Sequence, residues 1–124
     1  MPHLTLEYTE NLPQPIDAEK LFAPLHQIIV DTASIRIENC KSRAIPLRDF
    51  HIADGRPGRA FVHLSVRFLE GRSAETKQSI GQQCLEVLRE YFGNATDGLD
   101  MQFTVEMGDI QRQSYFKFPT GTLS

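Results

Sequence analysis

The chain has 124 residues, the size of one domain, and nothing in its composition argues for a second. Thirteen Lys and Arg against sixteen Asp and Glu leave a net charge of −3, which argues against a basic nucleic-acid footprint. Hydrophobic residues make up 40%, enough for a packed core, yet no stretch approaches the roughly 20 apolar residues of a membrane span.

The elements follow in chain order. His3 to Tyr8 alternates, with Leu4, Leu6 and Tyr8 on one side and His3, Thr5 and Glu7 on the other, the period of a half-buried strand. This strand begins almost at the first residue, so the amino terminus is expected to be held against the body. The opening MPHLTLEYTE has no basic leader followed by an apolar run, so no secretory signal is read and a cytoplasmic location is expected. Asn11 to Pro15 is turn-rich. Asp17 is then an N-cap, with Ile16 and Leu21 at the spacing of a hydrophobic staple. Leu21, Leu25, Ile28 and Ile29 make a helical stripe, inside which Pro24 is expected to kink or delay the helix. Ile35 and Ile37 alternate with Arg36 and Glu38, which predicts the start of a second strand, extended through Ile45 and interrupted at Pro46. Ala53-Asp54-Gly55 reads as a turn and Arg56-Pro57-Gly58 continues the loop.

The second half reads more cleanly. Val62, Leu64, Val66 and Phe68 share one face of a third strand. Ser73 caps a second helix whose first turn holds Glu75, and Gly93 is its expected C′ stop. That helix presents Ile80, Cys84, Val87, Leu88, Tyr91 and Phe92 on one face. Met101, Phe103, Val105 and Met107 then alternate along a fourth strand. The expected fold is a single α/β (α+β) domain over residues 1–124, built of two βαβ units, about 2–55 and about 59–124. It forms a four-stranded sheet with two helices on one face. The other sheet face is left uncovered, which points to partial burial against another subunit.

Pro2 is the most informative candidate. Once Met1 is removed, its nitrogen becomes a secondary amine at the terminus, an acid/base group no internal residue offers. The ordinary α-amino pKa is about 7.7–8.0, and partial desolvation moves it toward neutrality, where a proton shuttle works well. If Met1 is retained, that nitrogen is an amide without a basic lone pair. Arg72 lies between a strand end and a helix start, where backbone donors favour anions, and its fork can hold a carboxylate bidentately. His3 and His63 alternate with apolar strand residues and are read as structural or interface groups that face one another across neighbouring strands. His26 and His51 carry no motif. Cys40 and Cys84 are too few for a disulfide scaffold and lack metal-ligand spacing; Cys84 falls on the apolar helix face. There is no Gly-rich phosphate loop and no Ser/His/Asp grouping.

Pro2 followed directly by a strand, and VRFLEGRSAETKQSI closing one strand and opening a helix, resemble the tautomerase superfamily. With the PH start, the ADG turn, the AFVH strand and the late Phe116-Lys117, the chain resembles its two-unit branch, the 5-carboxymethyl-2-hydroxymuconate isomerases. That resemblance spans essentially the whole chain. It implies a trimer with sites at subunit boundaries, and a cofactor-independent isomerase acting on an unsaturated 2-hydroxy di- or tricarboxylate. Pro2 would be the base, Arg72 the carboxylate and oxyanion partner, and the pathway aromatic catabolism through homoprotocatechuate. The family pattern has an arginine where this chain has Lys41; Lys41 keeps the charge without the planar fork, and Arg43 on the same strand face is the alternative. Two other readings stay open: a non-catalytic trimeric binding protein of the same fold, and a hydratase or dehalogenase on another unsaturated acid.

Overall fold

A computed structural model describes residues 1–93 and 98–121. Four strands, β1 (His3–Thr9), β2 (Lys41–Leu47), β3 (Arg59–Leu69) and β4 (Asp100–Ile110), form one sheet in the order β2-β1-β3-β4. Helix α1 (Ala18–Ala33) joins β1 to β2, and helix α2 (Ala74–Phe92) joins β3 to β4. Both connected pairs are parallel, as crossover helices require, while the central pair β1–β3 is antiparallel. The result is a mixed sheet with both helices on one face.

The packed face follows from the alternation. Leu4 and Leu6 of β1 and Val62, Leu64, Val66 and Phe68 of β3 lie fully buried with Leu21, Leu25 and Ile29 of α1 and Ile80, Cys84 and Leu88 of α2. Asp17 and Ser73 cap the two helices, each side chain accepting from the backbone N–H three residues on. On the opposite face, register aligns Lys41, His3, Arg67 and Gly108 in one row and Arg43, Thr5, Ser65 and Glu106 in the next.

Four local expectations are corrected. The Ile35–Glu38 alternation is no strand: Ile37–Asn39 is a single 3₁₀ turn, and β2 begins at Lys41. Ile35 is buried but Ile37 is half exposed, so the pattern records one anchoring side chain rather than a pleated face. Pro46 lies within β2 opposite Tyr8 without breaking it, because β2 is an edge strand. Pro24 neither delays nor ends α1, which runs on through it with the proline on the exposed side of the helix. Gly93 is the last capping residue of α2 in an ordinary right-handed conformation, not a left-handed C′ stop.

Candidate active site

The topology gathers the chemistry at one end of the sheet. Because β1 runs parallel to β2 and antiparallel to β3, the starts of β1 and β2 meet the ends of β3 and β4. Pro2 is buried, and its carbonyl accepts from the Lys41 N–H at 3.1 Å, which pins the amino-terminal residues to the start of β2. Two clefts open beside them. One, of about 550 Å³, is lined by Met1, Arg36, Leu69, Arg72, Arg112, Tyr115 and Lys117 among others. The second, of about 220 Å³, is lined by Met1, Lys41 and the segment from Tyr115 to Thr120. Met1, Tyr115 and Lys117 line both, so they form the wall between them.

Among the described residues, no carboxylate side chain lines the larger cleft, whereas four cationic ones do. A chain with a net charge of −3 thus carries a locally positive cleft, within the size range of small-ligand sites. The amino terminus responds to this setting. Burial of the amine, then the positive charges of Arg72, Lys117 and Lys41, hold its pKa below the ordinary α-amino value, and Cys40 acts in the opposite sense.

Arg72 is placed as the loop between β3 and α2 dictates. Its Nη1 donates to the Leu69 carbonyl at 3.3 Å and its Nη2 to the Ala33 carbonyl at 3.4 Å, tying the end of β3 to the end of α1. Its guanidinium carbon lies 5.5 Å from the centre of the Phe68 ring. Lys41 donates from Nζ to the Asn39 carbonyl and lies close enough to depress the amine pKa. Arg43 is engaged elsewhere: its Nη1 donates to His3 Nδ1 at 3.0 Å. The structure therefore brings Lys41 and Arg72 together around the amino terminus and sets Arg43 one row further along the open face.

The histidine expectation changes as well. His3 pairs in register with Arg67, and His63 with Glu7, so the two histidines share a face without facing one another. His63 lies 2.6 Å from Thr104 Oγ1 and 3.3 Å from Glu106 Oε1. His3 meets Tyr115 instead, with Nε2 2.9 Å from the phenolic oxygen. Among the described residues, no group of three or more His, Cys, Asp and Glu is placed to hold a metal ion. None of the described helices is long and apolar enough to cross a membrane.

Tyr115, Lys117, Arg112 and Arg36 escape the sequence reading as site residues. Lys117 Nζ reaches the Met1 sulfur at 3.1 Å. Arg112 is fixed by donating from Nε and Nη2 to the Glu70 carbonyl. Only the Phe116-Lys117 pair carried any signal in the sequence, because the others reach the cleft through the single-turn segments Ile37–Asn39 and Arg112–Ser114 and their flanks. Such short turns leave no periodic mark.

Comparison with known proteins gives a consistent result. Residues 2–120 match the 5-carboxymethyl-2-hydroxymuconate isomerase family. The chain is 25% identical over 117 residues to the 5-carboxymethyl-2-hydroxymuconate Delta-isomerase of Escherichia coli, covering 94% of this chain and 93% of that protein. A crystal structure of a 5-carboxymethyl-2-hydroxymuconate isomerase from Deinococcus radiodurans R1 superposes with a TM-score of 0.86 at 30% identity, covering 96% of this chain and 90% of that one. A fused 4-OT wild type symmetric trimer, 17% identical, shares the fold with a TM-score of 0.70 over 90% of this chain and 87% of its own. The chain belongs to the 5-carboxymethyl-2-hydroxymuconate isomerase family and is an isomerase of the tautomerase fold.

Proposed function

We propose that the protein shifts a proton within an unsaturated 2-hydroxy di- or tricarboxylate, such as 5-carboxymethyl-2-hydroxymuconate, using the Pro2 amine as base once Met1 is removed. One observation carries the reading: the amino terminus is partly buried at the start of β1, beside a cleft that, among the described residues, is lined by cations and by no carboxylate side chain. Loss of Met1 removes one of the three side chains shared by both clefts and releases Lys117 from the sulfur it touches. The secondary amine left behind is one residue deeper, among the same positive charges, which favour its unprotonated form.

The electron flow balances without a co-reactant. The Pro2 lone pair takes the 2-hydroxyl proton, and the O–H electron pair becomes the C2=O double bond. The C2=C3 electrons move to C3=C4, and the C4=C5 electrons take the same proton back from the prolinium at C5. The product is the conjugated 2-oxo acid. Arg72 and Lys41, on the cationic side of the amine, hold a carboxylate and the negative charge that grows on the 2-oxygen, where electrostatic stabilisation counts most. Homoprotocatechuate catabolism in the cytoplasm is the setting this substrate implies.

The working form in this proposal is a homotrimer with sites at subunit boundaries. Its support is the uncovered sheet face, the exposed aromatic side chains of Phe116 and Phe118 beside the smaller cleft, and the symmetric trimer with the same fold. Native mass spectrometry tests the assembly; a monomer at micromolar concentration removes it. The chemistry is tested by following loss of the dienol absorbance against the Met1-free fraction from intact mass. Activity is expected to track that fraction and to collapse in Pro2→Ala. Equal turnover by protein that retains Met1 sinks the proline mechanism.

A further inference from the structure

His3 lies between two groups with fixed hydrogen-bonding roles. A guanidinium only donates, so the bond of 3.0 Å from Arg43 Nη1 requires an unprotonated Nδ1 on His3. The proton of a neutral imidazole then resides on Nε2, which lies 2.9 Å from the Tyr115 oxygen. That N–H donates, the phenolic oxygen accepts, and the two rings meet edge to face. Tyr115 has one hydroxyl hydrogen of its own, and among the described residues no other hydrogen bond to this hydroxyl is found. The residue lines both clefts beside Met1 and Lys117.

We infer that Tyr115 is a hydrogen-bond donor to the anionic substrate, held in its donating orientation by the chain Arg43 to His3 to Tyr115. This rests on the proposed isomerase reading and adds a contact to it. It also gives Arg43 a task other than gripping a carboxylate: it is a positioning residue that fixes the His3 tautomer, and His3 in turn fixes the phenol. A neutral donor suits the place. It stabilises an oxyanion without adding another positive charge beside the amine, and it imposes direction where the lysines supply only charge. The chain needs His3 uncharged, because an imidazolium cannot accept from Arg43. Burial of the ring, then the nearby charges of Arg43, Lys41 and the amino terminus, lower the His3 pKa, so the ring stays neutral to lower pH than an ordinary imidazole.

The test uses the full-length, Met1-free protein and four variants: Tyr115→Phe, His3→Leu, His3→Gln and Arg43→Leu. In Tyr115→Phe, kcat is expected to fall about 10- to 100-fold with KM changed far less, the effect of losing a bond to charge that develops in the transition state. His3→Leu should lose a similar factor, and adding it to Tyr115→Phe should cost nothing more, since both act through one hydroxyl. His3→Gln, whose amide N–H can replace Nε2–H, should recover most of the loss, and Arg43→Leu should lie between. A merely structural role predicts instead that loss follows thermal stability and that Gln gives no rescue.

A binding arm keeps the two claims apart. Affinity for 2-oxoadipate, measured by calorimetry, should weaken in Tyr115→Phe and His3→Leu whether or not the wild type turns over a dienol. An inactive wild type with this affinity pattern overturns the isomerase reading alone. An active wild type, with Tyr115→Phe equal to it in kcat and in 2-oxoadipate affinity, overturns the inference alone.

Discussion

Replacing Arg72 separates charge from geometry at the proposed site. Two of the five guanidinium N–H donors are committed to the Leu69 and Ala33 carbonyls, which leaves three, two of which grip one carboxylate as a fork in the proposed mechanism. Arg72→Lys keeps the charge but offers that carboxylate one bond in place of two. A charge-assisted bond contributes about 1.5–3 kcal/mol, so kcat/KM should fall about 10- to 100-fold. Arg72→Gln removes the charge as well. Arg72 helps to hold the amine pKa down, so losing that charge raises it. A base works only when unprotonated, so the acidic limb of the pH profile of kcat/KM should move to higher pH in Arg72→Gln and stay in place in Arg72→Lys. Stability should fall by only about 1–2 kcal/mol in either variant, from two long carbonyl contacts and the cation over Phe68, measured by urea unfolding. An unchanged kcat/KM in Arg72→Lys refutes the fork, and an unmoved acidic limb in Arg72→Gln refutes the electrostatic coupling.

Two further expectations test the scaffold. Leu64→Ala empties a fully buried position at the centre of the sheet and should destabilise the protein by about 2–5 kcal/mol, read as a lower urea midpoint with little change in slope. Gly55→Ala places a Cβ 2.8 Å from the His51 ring at a backbone φ of +83°, and should cost about 1 kcal/mol or more, read as a lower Tm with kcat retained.

Much of the fold was legible because alternation and burial coincide. Val62, Leu64, Val66 and Phe68 have nothing to decide between: each is apolar, each is fully buried, and the intervening residues face the other way. The same holds for Leu4 and Leu6, and for the α2 stripe through Ile80, Cys84 and Leu88. Legibility fails where pattern and burial part company. Ile37 looks like a strand partner of Ile35 and is half exposed, because four residues are too few to tell a pleat from a turn. Pro24 and Pro46 look like breaks, but one lies on the exposed side of a helix and the other on an edge strand, placements that only tertiary structure reveals. At the site, Pro2 and Arg72 stood out because each borders a regular element. Tyr115 and Arg112 come from a non-periodic tail, and their approach to the amino terminus depends on the strand order rather than on spacing in the chain.

The central claim is that the chemistry belongs to an amine whose proton affinity the site lowers. Its most direct test is a ¹⁵N NMR titration of the Pro2 nitrogen in Met1-free protein labelled at proline. Burial and the charges of Arg72, Lys117 and Lys41 predict a pKa below the ordinary α-amino range of about 7.7–8.0, matching the acidic limb of kcat/KM. A Pro2 pKa at or above that range, or an acidic limb that does not coincide with it, would contradict the account.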